Sequence, residues 1–118
     1  MIRFEEGFNP ERPDKKEIIS IIKDNPNNPE SKSAFLNWVS QAKIEADASG
    51  SGYPKLIFDI ELTDVYIEAG MINAAIENLE EMNHLFEIEK AKYDENNIPD
   101  ELLSLHAKFI SLGLKVYG

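Results

Sequence analysis

The residues best suited to chemistry in this chain are Glu81 and His84, spaced Glu-x-x-His. On a helix that spacing puts both side chains on one face, as a carboxylate-bridged di-metal centre requires. Such a centre takes two of these pairs and a carboxylate from each of two further helices. Glu61, Glu68 and Glu77 offer carboxylates, but the second histidine, His106, has Leu103 three residues before it. The ligand set is incomplete, so no metal and no other cofactor is expected. The chain has no cysteine, which removes thiolate ligands, cysteine nucleophiles and disulfides together. No serine stands at a strand-to-helix elbow, where a hydrolase exposes its nucleophile. Ser49-Gly50-Ser51-Gly52-Tyr53-Pro54 has small residues, but a phosphate loop follows a strand, whereas here a helix precedes and the pattern stops at Tyr53-Pro54. It reads as a loop. On these grounds the protein is expected not to be an enzyme.

What remains is charge. Nine carboxylates lie between Asp59 and Glu89, with no Lys or Arg among them. Asp59, Glu61, Asp64 and Glu68 form the polar strip of one helix, and Glu77, Glu80, Glu81 and Glu87 lie along the next. If the two helices are antiparallel neighbours, these acids come near one another. The whole chain has 22 acidic and 12 basic residues and a net charge of −10. A field of that sign repels nucleic-acid phosphates and anionic membranes and favours a basic protein partner. Asp59, Glu61, Asp64, Glu68, Glu77, Glu80 and Glu81 are therefore the expected docking residues. The same charge also suits an acidic inhibitor, an immunity protein or a DNA mimic acting on a nucleic-acid-binding partner.

The elements that must position these residues are helices. At 118 residues the chain suits one domain with a single core. Residues 1–12 read as an irregular tail, with Phe4 and Phe8 tucked onto the body. Asp14 opens a first helix that ends at Asp24. Asn28 caps a second, from Pro29 to Ala48, whose face of Phe35, Trp38, Val39, Ala42 and Ala46 repeats at three and four. Trp38, the single tryptophan, reads as core. The third helix, from Pro54 to Ala69, is apolar around most of its circumference, which places it in the middle of the fold. Gly70 and Asn73 make a turn into a fourth helix that continues to Tyr93 or Asp94. The fifth, from Pro99 to Val116, buries Leu102, Leu105, Phe109, Leu112 and Val116. Leu85, Ile88 and Leu103 are left to cover each other or a second copy. The expected class is all-α, either a five-helix antiparallel bundle or a short superhelix of hairpins.

The series Leu62, Tyr66, Gly70, Ala75, Leu79 and Met82 resembles a tetratricopeptide-type repeat. In that family a Tyr fills the gap between two helices, a Gly permits the turn, and a small Ala lets the helices approach. Asp59 stands in the family's Trp slot, Thr63 in its Gly slot, and the closing Pro is missing. Leu105, Phe109 and Gly113 repeat Leu62, Tyr66 and Gly70 at an interval of 43 residues, as half of a second unit over 99–118. The resemblance implies a helical scaffold that binds peptides or proteins without catalysis. No apolar run is long enough to span a bilayer, and the first residues lack the pattern of a secretory signal, so the expected location is cytoplasmic.

Overall fold

The computed structural model describes residues 14–118, so the expectations for the tail, Phe4 and Phe8 lie outside the described residues. Among the described residues there are five α-helices: α1 (Lys15–Asp24), α2 (Pro29–Ala48), α3 (Pro54–Glu68), α4 (Ile72–Lys90) and α5 (Asp100–Tyr117). A single 3-10 turn, Glu95–Asn97, precedes α5. No strand occurs among the described residues, and the all-α expectation holds.

Local chemistry sets the boundaries. The Asp14 carboxylate accepts from the Glu17 N–H at 2.8 Å and starts α1. The Asn28 side chain accepts from the Glu30 N–H at 2.7 Å, and Pro29 fills the first position of α2. At the end of α3 the Met71 N–H donates to the Tyr66 carbonyl (2.8 Å) and the Gly70 N–H to the Ile67 carbonyl (3.1 Å). This is the paired closure of a Schellman cap, and it needs a left-handed residue. Gly70 supplies it at φ +82°. The fourth helix stops at Lys90, a turn earlier than its apolar pattern suggests.

Each helix packs on the next along the chain: α1 on α2, α2 on α3, α3 on α4 and α4 on α5. Two further contacts skip one helix, α1 on α3 and α3 on α5. These pairings put α3 at the centre, as its all-round apolarity implies. Its two faces serve two cores. Leu62 and Val65 join Ile18, Ile22, Trp38 and Ala42 on the α1–α2 side. Leu56 joins Leu79, Met82, Phe86, Leu102, Leu105 and Leu112 on the α4–α5 side. Trp38 is fully buried, in keeping with a core role. Ala75 is fully buried too, which lets α4 approach α3 closely.

Gly113 lies inside α5, which continues to Tyr117, and it makes no turn. It lacks the left-handed geometry of Gly70.

Candidate functional site

A groove is formed by α1, α3 and α5, the three helices linked by the skipping contacts. Its volume is about 640 Å³. Ile57, Ile60, Leu105 and Leu112 give it apolar footing. Its charged lining is Lys15 from α1, Glu61 and Asp64 from α3, and Glu101, Lys108 and Lys115 from α5. The helical repeat explains the last three. Residues 101, 108 and 115 are seven apart, so they stand in one row along α5.

The acidic strip of α3 therefore does not face solvent bare. Lys15 and Lys115 both pair with the Asp64 carboxylate, the second at 3.3 Å, and Lys115 also reaches Glu68 at 3.6 Å. Burial pushes the Asp64 carboxyl up, but the two ammoniums outweigh it and hold the group below the usual carboxylate range. The same partners raise the Lys115 ammonium, Asp64 first and Glu68 after it. The 59–89 segment lacks lysine, yet the fold imports lysines from its two neighbours. No pattern within α3 could have signalled this, because Lys15 is 49 residues before Asp64 and Lys115 is 51 after it.

Asp59 is corrected more sharply. It is buried, at 3% exposure, and is not a docking residue. A helix packed by others on nearly every side leaves little wet strip, and Asp59 falls on the covered part. Burial raises its carboxyl above the ordinary value, opposed by the Lys55 ammonium 3.0 Å away. Lys55 also lies 3.9 Å from Glu81, an ion pair that links the acids of α3 and α4.

The acids of α4 form a separate ridge. Glu77, Glu80, Glu81 and Glu87 are exposed. Glu80 borders a different depression, between α4 and α5, with Asn83, Ile110, Gly113 and Tyr117. The structure thus divides the expected single acidic face into an ion-paired groove and an outer ridge. Glu81 and His84 are both exposed on α4, and no group of three or more His, Asp or Glu among the described residues is placed to hold a metal ion. His106 is engaged elsewhere. It lies against Phe86 and Phe109, with Nδ1 3.1 Å from the Lys90 ammonium. Burial, and then that ammonium, lower its pKa. No helix among the described residues is long and apolar enough to cross a membrane.

The chain matches no family model, no curated protein and no solved structure.

Proposed function

We propose that the chain is a non-catalytic interaction module that holds a segment of another protein in the α1–α3–α5 groove. The observation that carries this reading is the groove itself. It combines four aliphatic side chains with three lysines and three carboxylates, and it is long enough to be walled by three helices. Apolar footing anchors side chains, and alternating charges along the walls select register. The skipping contacts of α1, α3 and α5 are also what a stack of helical hairpins requires, which supports the resemblance to tetratricopeptide-type repeats. The net charge of −10 draws basic partners towards the molecule. The segment expected is therefore apolar with basic residues around it.

The test is capture of partners from the native host at low and moderate salt, with the wild-type chain beside two variants. Ile60→Asp with Glu61→Lys alters the groove, and Glu77→Lys with Glu80→Lys alters the ridge. Loss of one specific partner with the groove variant alone supports the reading. A partner that survives groove substitution counts against it. A second reading, an acidic inhibitor or DNA mimic, draws on the four exposed glutamates of α4. It requires that the ridge variant lose the partner and that duplex DNA compete for it.

A further inference from the structure

Two hydrogen bonds show how α3 and α5 lie along each other. The Ser51 hydroxyl donates to Glu101, 50 residues on, and the Lys115 ammonium donates to Asp64, 51 residues back. A near-constant offset means that the two helices run parallel and in step. The row Glu101, Lys108 and Lys115 on α5 therefore marks levels along the groove, each about 10 Å from the next. The Lys115 level is closed, because Asp64 pairs with both Lys15 and Lys115. The other two levels are open. Among the described residues Lys108 has neither an ion pair nor a hydrogen bond. Glu101 accepts the Ser51 hydroxyl but meets no cation among the described residues. Ser104 and Ser111 also line the groove, one helical turn to either side of Lys108. Leu105 of α5 and Ile57 of α3 lie between the Glu101 and Lys108 levels.

Resting on the reading of this groove as a docking site, we propose that its occupant is an extended segment in which a basic, an apolar and an acidic residue alternate, the acid seated on Lys108. Alternate residues of an extended chain face the same side, about 7 Å apart, so three of them span about 13 Å. That suits two charges about 10 Å apart once a flexible Lys or Arg side chain folds back. The basic residue meets Glu101, and the apolar one rests on Leu105 and Ile57. The acid takes the Lys108 ammonium with the hydroxyls of Ser104 and Ser111. A carboxylate only accepts hydrogen bonds, and these three groups all donate. A segment carrying basic residues alone would set like charge against Lys108. The net charge of −10 thus draws basic segments in, and Lys108 selects those with an acid at one place. The closed Lys115 level adds no charge preference, because Asp64 already holds its two lysines.

The test is selection of phage-displayed random peptides on the immobilised whole chain, followed by titration of the enriched peptides in solution. Enriched peptides are expected to carry an Asp or Glu two places from an apolar residue and four from a Lys or Arg. Lys108→Ala should weaken them about tenfold, the loss of one charge-assisted hydrogen bond. Lys43→Ala, an exposed lysine of α2, should leave them unchanged. Selection on Lys108→Glu should exchange the acid for a base, a reversal that no folding defect can mimic. The Ile60→Asp with Glu61→Lys variant separates this proposal from the groove reading beneath it. If nothing is enriched, or the enriched peptides bind that variant as well as wild type, the groove reading falls and the proposal with it. If they need the groove but carry no acid, or bind Lys108→Ala as tightly as wild type, the proposal alone is overturned.

Discussion

Asp59 and Asp64 stand five residues apart on one helix and respond to it in opposite ways. Burial raises Asp59, whereas Lys15 and Lys115 lower Asp64 against burial. The sign of the linkage follows. Asp64 is held below its unfolded value, so its contribution is fully present above the ordinary carboxylate value of 3.8 and is lost as the pH falls through the folded value. Asp64→Asn is expected to cost about 1 kcal/mol at neutral pH, a modest figure because both lysines are partly solvated. Chemical denaturation should show the gap from wild type closing in acid; a gap that is constant with pH would mean the lysines are not its partners. Thr63 makes a different prediction. It is fully buried, and its hydroxyl has no hydrogen-bond partner. Replacing it by the isosteric Val removes the desolvated hydroxyl and is expected to stabilise the fold by about 1 kcal/mol. A loss of similar size in the same denaturation measurement would show that the hydroxyl is bonded. His106 should titrate below 6.5 by NMR, because burial and then Lys90 both disfavour its charged form. A value at or above 6.5 would place Lys90 elsewhere.

At the scale of elements, the α3–α4 hairpin depends on two small residues for two distinct reasons. An added Cβ at Gly70 would meet nothing within 4 Å, so only the backbone conformation demands glycine there. Gly70→Ala is expected to cost about 1 kcal/mol, and Gly70→Asn less, because Asn tolerates left-handed geometry. Ala75 has the opposite constraint: ordinary helical backbone and no space, being fully buried. Ala75→Leu is expected to cost about 1–3 kcal/mol through overpacking. Thermal or urea unfolding of the three variants separates the two causes. If Asn at position 70 proved worse than Ala, crowding and not backbone strain would be at work. The hairpin was legible in the sequence because both devices are local and turn on residue size.

At the largest scale, α3 is what joins the two clusters. Leu56 lies in one cluster, and Leu62 and Val65 in the other. Trp38 reports the α1–α2 side, while Leu102 is buried on the α5 side. Leu102→Ala should destabilise by about 2–5 kcal/mol. It should shift the Trp38 fluorescence transition together with the far-ultraviolet helix signal, since α3 takes part in both clusters. A fluorescence transition left in place would mean that the two clusters unfold separately.

Helix identity, caps, the Gly70 turn and the central place of α3 were all determined by the sequence alone. Each rests on interactions within a few residues, or on the share of a helix's circumference that is apolar, and neither needs knowledge of a partner. The fate of the charges was decided only by the tertiary structure. Asp59 is covered because packing encloses α3, and Asp64 is neutralised because α1 and α5 deliver Lys15 and Lys115 across about 50 residues on either side. Coulomb interactions and burial act through space, so the strip that looks most acidic along the chain became a mixed-charge groove in the fold.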